Sequence, residues 1–424
     1  MHWLTILFIA AVIASTTLEL WLAHRQVEAV GAHRDRVPEP FADRISVEDH
    51  RNAADYTIAK VRVGRIGTVL NAGLTLALTV GGGIASLDSL LRGTGWGQPF
   101  LGAAVIATVA CAAGAVNLPL SLWRTFRLEA RFGFNRTTPM LFLADLGRGL
   151  LLAVLLGGPL LVATIMLMER AGRWWWAWVW CVWLGSTLLM TWAWPVFIAP
   201  LFNRFLPLED PPLKARIEAL LERCGFSSNG VFVMDGSRRS RHGNAYFTGI
   251  GRHKRIVFFD TILQQLGPSE VEAVLAHELG HFRLRHIRQR LLISAVTTFG
   301  GLALLGWLAA RPTFYSALGV PVRSAHAALL LFFLAAPVLT FFATPIGALW
   351  SRRHEFQADR FASRHASAQE LAAALVKLYR DNASTLTPDR LYAAFYYSHP
   401  PALERILRLQ GVARCQTKGH REPR

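Results

Sequence analysis

Two histidines that stand four positions apart, His277 and His281, flank a glutamate in a stretch that favours a helix. Residues four apart on an α-helix lie on one face, so both imidazoles can bind the same cation. Glu278 would then lie beside the open coordination position, where it can act as general base for a water that zinc activates. Residues 270–276, just before, contain good helix formers and no Pro or Gly. This pattern predicts a zinc hydrolase site. The alternative is a pair of histidines on an ordinary surface helix.

A catalytic zinc commonly keeps three protein ligands and one open position, and the third ligand has to come from elsewhere in the chain. The best downstream candidate is Glu355, which is followed four positions later by Asp359. On a helix both carboxylates share one face, so Glu355 can bind zinc while Asp359 accepts the free ring N–H of a ligand histidine. The alternative is a solvated pair of acids on a helix near the membrane.

The elements that must position these residues include membrane helices. The chain has 424 residues, of which 52% are hydrophobic. A membrane helix needs about 20 apolar residues. Runs without charged side chains that meet this length, or nearly so, predict seven spans: 1–18, 66–87, 93–123, 149–168, 174–203, 291–310 and 324–351.

The net charge of +17 lies largely in alternate loops between these runs. Segments 24–65 and 124–148 are rich in arginine, whereas 88–99 and 169–173 hold only Arg92, Arg170 and Arg173 as cations. The positive-inside rule therefore predicts that the basic loops, residues 204–290 and the C-terminal tail are cytoplasmic, with the N-terminus outside. Because the basic excess follows this topology, we expect the lipid bilayer as a partner and no nucleic acid.

The predicted fold class is a mainly α membrane protein whose cytoplasmic α/β zinc-protease domain is split around helices six and seven. Residues 231–234 and 256–259 have the composition of strands, and 212–224, 351–365 and 368–381 of helices. The predicted divisions are 1–197 (five spans), 198–290 (first half of the protease domain), 291–350 (two spans) and 351–424 (second half with the tail). The four cysteines form no CxxC pair, so cysteine metal ligation is not expected.

Eight short stretches of the sequence resemble those of a known protein family. They are 131–135, 200–203, 235–240, 244–247, 257–261, 277–281, 351–359 and 398–405. In them the chain resembles the type I CAAX prenyl proteases, integral-membrane zinc metalloproteases of the gluzincin kind. The resemblance covers most of the chain and implies seven helices with a zinc domain facing the cytoplasm.

This resemblance also implies roles for single residues. It makes His277, His281 and Glu355 the ligands of one Zn²⁺ and Glu278 the catalytic base. His399 matches the family histidine near the metal, where an N–H donor would stabilise the developing oxyanion. Asn244 and Tyr246 match a strand beside the zinc helix, whose edge can hold a peptide substrate by β-augmentation; for Tyr246 the simpler interpretation is a core side chain.

Three further cations and one further histidine leave alternatives open. Arg238, Arg239 and Arg241 can bind the C-terminal carboxylate of a substrate, because arginine pairs bidentately with carboxylates. They can equally form a solvated basic loop that faces the membrane. We interpret His286, five positions after His281, as a helix-end residue or a residue behind the ligands, and not as a ligand.

Three functions fit these observations. The first is a membrane zinc endopeptidase of the CAAX-protease type, acting on a peptide or protein substrate that can be lipidated. The second applies the same chemistry to quality control of membrane proteins, without a prenyl requirement. The third is a transporter, channel or scaffold with a vestigial zinc site, which the nearly charge-free spans disfavour. Short external loops and an Ala-, Arg- and Gly-rich composition predict a bacterial inner membrane, or the endoplasmic reticulum if the source is eukaryotic.

Overall fold

The computed structural model describes residues 2–226, 230–248 and 255–419 and is mostly helical. The helices before the sheet are α1 (Trp3–Ala32), α2 (Val47–Leu78), α3 (Gly83–Arg92), α4 (Gln98–Trp123), α5 (Pro139–Leu152), α6 (Gly158–Arg170), α7 (Trp175–Ala193), α8 (Ala199–Phe202) and α9 (Pro211–Arg223). Those that follow are α10 (Asp260–Gln265), α11 (Pro268–Arg283), α12 (His286–Ala309), α13 (Pro312–Ala317), α14 (Ala325–Thr340), α15 (Thr344–His365), α16 (Ala368–Asp381), α17 (Arg390–Tyr396) and α18 (Ala402–Gly419). Three π-helical segments, Arg124–Glu129, Ala153–Gly157 and Trp194–Ile198, continue α4, α5 and α7.

Six continuous helical runs of the described residues are long and apolar enough to cross a membrane: 3–32, 98–129, 139–170, 172–202, 286–309 and 325–365. Helices α2 and α3 meet at a 53° bend and make a seventh if they count as one span. Each predicted run overlaps one of these seven. The predicted fold class, a mainly α protein with seven membrane spans, is confirmed.

The bend between α2 and α3 has a local cause. Gly82 has a φ of 78°, a left-handed conformation that side chains with a Cβ rarely adopt. Beyond the bend, α3 is fastened to the start of α14, because Asp88 Oδ1 lies 2.9 Å from His326 Nε2. Both of these side chains are buried.

A four-stranded sheet supports the first half of the protease region. Its strands are β1 (Phe205–Pro207), β2 (Val231–Met234), β3 (Ala245–Thr248) and β4 (Arg255–Phe259), in the order β1-β2-β4-β3. Strands β2 and β4 are parallel, while β1 and β3 pair antiparallel with their neighbours. In this order β3 is an edge strand.

One hydrophobic core contains side chains from both sides of the last two spans. Ile217, Phe258 and Leu275 precede these spans, Leu371 and Ile406 follow them, and all five are buried in the same cluster. A second cluster lies among the spans and includes residues of α1, α4, α6, α12 and α14. The chain therefore folds back after α14 to complete the packing of the segment that carries the two histidines.

Several predicted boundaries were wrong. Residues 47–62, within the loop predicted at 24–65, form the first half of α2, which continues into the second span. Strand β1 and helix α17 had no prediction, since each is short. The tryptophans at the start of the fifth span have different surroundings: Trp174 and Trp178 are exposed, whereas the Trp180 indole donates to the Ala295 carbonyl of α12 at 2.9 Å.

Candidate active site

Helix α11 carries both motif histidines, and its start is well defined. Pro268 occupies the first turn, where its missing N–H costs nothing. The Glu270 carboxylate accepts a hydrogen bond from the Gly267 N–H at 2.7 Å and lies 2.7 Å from the ammonium of Lys377 on α16. His277, near the other end, is buried. The helix is thus fixed at its N-terminus, and the histidines lie on the side that faces α15.

Gly280 permits an unusually close approach of α15 to α11. A Cβ on Gly280 would lie 3.0 Å from Ala358 Cα and 3.1 Å from Phe361 Cβ, tighter than ordinary van der Waals contact. The two helices can therefore meet at the level of the motif only because this position lacks a side chain. The contact brings Glu355, three residues before Ala358, towards the histidines.

The side chains of His277, His281 and Glu355, here called the metal-binding cluster, lie close enough together to hold a metal ion. The two Nε2 atoms are 3.2 Å apart. Glu355 Oε2 lies 3.5 Å from His277 Nε2, and Glu355 Oε1 lies 3.3 Å from His281 Nε2. Two atoms that each bind a tetrahedral zinc at about 2.1 Å are about 3.4 Å apart. The donor set and its spacing therefore fit zinc.

Asp359 and Arg405 lie behind His277. Asp359 Oδ1 is 2.9 Å from His277 Nδ1, so the carboxylate can fix the tautomer that leaves Nε2 free for a metal. Arg405 donates to both oxygens of Asp359, at 2.8 and 2.7 Å, and all three side chains are buried. Sequence reasoning assigned no role to Arg405, although it shares the buried face of α18 with Ala402, Ile406 and Leu409. A cation on such a face predicts a buried partner.

These contacts also set the charge of the site. Burial alone would lower the pKa of His277, and Arg405 acts in the same direction, but hydrogen bonds to Asp359 and Glu355 outweigh both and raise the pKa to about 9. Burial likewise opposes the charge of Arg405, yet Asp359 raises its pKa above the usual arginine value. Arg405 therefore stays cationic and compensates the carboxylates that surround the histidine.

A separate chain of contacts lies behind His281. Its Nδ1 is 3.0 Å from Nδ1 of His286, and His286 Nε2 is 2.9 Å from the Gln357 side-chain oxygen. The His286 ring stacks on His354 with centroids 3.9 Å apart. Arg285, in a left-handed conformation with φ 60°, makes the turn that directs His286 back towards α11. His286 is thus a neighbour of a candidate ligand, in the position that the sequence indicated.

His399 contacts the cluster, and Glu278 follows His277 directly in α11. His399 Nδ1 lies 2.6 Å from Glu355 Oε2, and 67% of the His399 side chain is exposed. Arg352 positions the segment before it by donating to the carbonyls of Ala393 and Tyr397, both at 2.9 Å. Glu278 is half-buried, and the described residues offer its carboxylate no hydrogen-bond or ion-pair partner, so it is free to accept a proton.

Asn244 and Tyr246 lie at the edge of the sheet next to α11. Asn244 is exposed, and its backbone carbonyl accepts from the N–H of Phe259 on β4 at 3.0 Å. Tyr246 is half-buried; its ring contacts that of Phe259 and its hydroxyl lies 4.0 Å from the Met234 sulfur. Tyr246 therefore packs on the sheet, while β3 pairs only with β4 among the described strands.

The three arginines that follow β2 lie in different environments. Arg239 is committed within the fold: it pairs with both oxygens of Asp145, at 2.9 and 3.0 Å, and donates to Asn203 and to the Phe202 carbonyl, both at 2.7 Å. Its guanidinium joins this loop to α5 and α8, which speaks against substrate binding by Arg239; that role stays a prediction. Arg238 and Arg241 remain exposed.

A cavity of about 860 Å³ opens beside the cluster. Its walls come from α1, α2, the segment Arg124–Glu129, α16 and the stretch from α17 to α18, and they include His399 and Arg405. A second cavity of about 790 Å³ between the spans shares four lining residues with the first, namely Glu19, Gly64, Thr68 and Arg124. The cavity that contains His399, a direct neighbour of Glu355, therefore continues between the membrane helices.

Comparison with known proteins accounts for both parts of the chain. Residues 26–204 match the family model of the CAAX prenyl protease N-terminal region with five membrane helices, and residues 207–413 match peptidase family M48. CAAX prenyl protease 1 of Saccharomyces cerevisiae is 33% identical over 95% of this chain and 94% of its own length. The chain belongs to peptidase family M48.

Other relatives agree with this assignment. The CAAX prenyl protease 1 homolog of Arabidopsis thaliana is 38% identical over 70% of each chain. The crystal structure of S. mikatae Ste24p superposes with a TM-score of 0.88 and 30% identity, covering 96% of this chain and 99% of the other. This M48 member is thus a multi-pass membrane metalloprotease of the CAAX-protease type, a family whose metal is generally zinc. The third alternative, a transporter, channel or scaffold with a vestigial zinc site, is therefore not supported.

Proposed function

We propose that His277, His281 and Glu355 hold one Zn²⁺ per chain and that this site hydrolyses the peptide bond of its substrate. The observation that carries the proposal is the spacing between the two Nε2 atoms and from each of them to an oxygen of Glu355, 3.2 to 3.5 Å. That spacing fits tetrahedral ligands of a single ion, with a fourth position for water or substrate. Asp359 holds His277 in the ligating tautomer, and Arg405 keeps Asp359 charged and in place.

The side chains around the cluster divide the proton chemistry. Zinc, when bound, supplies Lewis-acid activation of the attacking water and of the scissile carbonyl. Glu278 accepts the proton of the water and delivers it to the leaving amine, because it follows His277 directly and its carboxylate has no other described partner. His399 presents a ring nitrogen next to Glu355 and donates to the oxyanion that develops on the carbonyl.

The substrate in this proposal is the C-terminal part of a protein that carries a lipid. The edge of β3, from Asn244 to Phe247, aligns the peptide backbone by strand addition. The membrane spans around the cavity receive the apolar portion, and each buried CH₂ contributes about 0.8 kcal/mol. Names of the relatives, CAAX prenyl proteases, support this choice over a quality-control protease.

The proposal also gives the active site a side of the membrane. Charge bias between loops favours the cytoplasmic side for the protease region, with the N-terminus outside. A bacterial inner membrane, expected from composition, stays a prediction; the relatives named above are from eukaryotes, which favours the endoplasmic reticulum if this source is eukaryotic too.

Glu278→Gln tests the proposed chemistry. The amide keeps the shape of the side chain but cannot take a proton at neutral pH, so turnover should fall by at least about 100-fold while the purified protein still contains about one zinc. Elemental analysis and cleavage of matched peptides, one prenylated on cysteine and one not, provide the measurements. Wild-type protein should prefer the prenylated peptide. Loss of zinc in the variant together with normal turnover per bound metal would refute the role of Glu278, and equal kcat/KM for both peptides would remove the lipid from the proposal.

A further inference from the structure

Three cations line the cavity that contains His399, and none of them serves the metal-binding cluster. They are Lys60 and Arg65 of α2 and Arg124 at the start of the π-helical segment after α4. Within the described residues none of the three has a carboxylate within ion-pair distance. Lys60 has only the ring of Tyr56, 4.6 Å from its ammonium. Arg405 also lines the cavity, but both oxygens of Asp359 already engage it.

The two acids of the same cavity wall have other partners. Both oxygens of Glu129 accept from the Tyr56 hydroxyl at 2.8 Å, and one lies 3.8 Å from Nε2 of His242. Glu19 accepts a hydrogen bond from the Thr68 hydroxyl at 3.2 Å. Neither acid lies within ion-pair distance of a cavity cation, while Glu129 attracts Lys60 at longer range. Cations therefore outnumber anions around the open space.

An anionic ligand would relieve the repulsion among these cations. Lys60 and Arg124 are exposed and Arg65 is half-buried, all three lie in segments predicted to be cytoplasmic, and like charges around one space repel each other. Arg124 also begins a π-helical segment, an irregularity that frequently occurs at functional sites. A volume of about 860 Å³ lies within the usual range for ligand pockets, about 300 to 1,000 Å³.

A peptide in this cavity supplies an anion at one place only. The substrate of the proposed function ends in an α-carboxylate a few residues beyond the bond to be cut, and an extended chain advances about 3.3 Å per residue. Arg239, expected to bind that carboxylate, is engaged by Asp145, and Arg238 does not line the cavity. The cations that share the cavity with His399 are the ones a C-terminus meets.

We propose that Lys60, Arg65 and Arg124 bind the C-terminal carboxylate of the peptide substrate and so fix the distance from the chain end to the scissile bond. The inference rests on the proposed function, since it concerns the substrate of the same site. It makes the enzyme selective for a free C-terminus and places the leaving peptide in the part of the cavity between α2 and the segment Arg124–Glu129.

The test compares one prenylated peptide with a free C-terminal carboxylate and the same peptide as a C-terminal carboxamide. Wild type should cleave the carboxylate form with the higher kcat/KM, by about 10- to 100-fold, the range expected for hydrogen bonds to a charged group. In Lys60→Met combined with Arg124→Gln, which leaves Arg65 in place, this ratio should fall severalfold towards one, mainly through KM of the carboxylate peptide. Because both peptides are measured on the same preparation, the ratio does not depend on how much protein folds.

Matched controls lie beside each position. Arg62→Gln on α2 and Arg127→Gln in the π-helical segment remove exposed cations that do not line the cavity, and both should keep the wild-type ratio. Lys60→Arg preserves the charge and should keep most of the preference. A ratio of one in wild type, or an unchanged ratio in the double variant, overturns the inference. So does an equal loss on both peptides, which would assign these cations to lipid phosphates or to the fold. The proposed function fails separately, by absence of cleavage of either peptide.

Discussion

At the scale of single residues, the environment of each ligand matters as much as the ligand. His277 and His281 are both motif histidines, yet their non-ligating nitrogens meet different partners: Asp359 for His277 and His286 for His281. A charged acceptor strengthens the basicity of one ring, and a neutral imidazole held by Gln357 orients the other. The two ligands are therefore supported by independent side chains and can be tested one at a time.

His286→Ala should weaken zinc binding without removing a ligand. Loss of a side chain that orients a metal-bound histidine typically costs about 10- to 100-fold in metal affinity. Competition with a chromophoric chelator measures the zinc dissociation constant, and Gln357→Glu, which keeps an acceptor for His286 Nε2, serves as the conservative comparison. An unchanged dissociation constant in His286→Ala would mean that His286 only fills space beside His354.

Residue types and local spacing were enough to predict that His277, His281 and Glu355 lie together and that Asp359 lies behind a histidine, because helical periodicity determines which of them share a face. The role of Glu278 stays a prediction. The roles of Arg239 and Arg405 could not be found in that way. Arg239 pairs with Asp145, which is 94 positions away, and Arg405 with Asp359, which is 46 positions away. A cation whose partner lies in another element gives no local signal except an unusual place in an apolar pattern, as for Arg405 on α18.

At the scale of elements, the site depends on the contact between α11 and α15. These helices come from segments separated by α12 and α14, and Gly280 sets how closely they approach. Sequence patterns predicted both helices and a metal site that they share, but not how closely they pack, since the role of Gly280 appears only when Ala358 is known to lie against it. The glycine of the motif is thus as necessary for the geometry as its histidines.

Gly280→Ala should separate the two helices and disturb the zinc site. The new Cβ would lie 3.0 Å from Ala358 Cα and 3.2 Å from the Ala358 carbonyl oxygen, and backbone atoms cannot move aside as a flexible side chain does. Overpacking of this kind costs about 1 to 3 kcal/mol, so we expect less bound zinc and a lower unfolding temperature. Gly300→Ala on α12, where a Cβ meets nothing within 4 Å, is the control. Normal zinc content and stability in Gly280→Ala would show that the helices have room to adjust.

At the scale of the whole molecule, the basic segments gather at one end of the helix bundle. Arg25, at the end of the first span, pairs with Asp389 before α17 at 2.8 Å. Asn135, in the second basic loop, forms a bridge with Ser240 of the protease region. At another place in the bundle, the Thr5 hydroxyl donates to the Ala317 carbonyl at 2.7 Å, and Asp88 meets His326. In these contacts between described residues, the predicted cytoplasmic segments pair with one another, and the segments predicted to lie outside do the same.

This grouping makes the topology testable with three cysteines. In a background without the native cysteines, Arg51→Cys and Lys214→Cys represent the basic end, and Arg173→Cys the loop after α6; all three positions are exposed. In sealed vesicles with the cytoplasmic face outward, a membrane-impermeant maleimide should label the first two at once and Arg173→Cys only after detergent, because arginine-rich loops stay on the cytoplasmic side. Arg51 and Lys214 belong to segments that pack on the same end, so different labelling of these two would contradict the arrangement of the bundle itself. If Arg173→Cys is labelled at once and Arg51→Cys and Lys214→Cys only after detergent, that arrangement holds but the orientation is reversed. The active site would then face away from the cytoplasm.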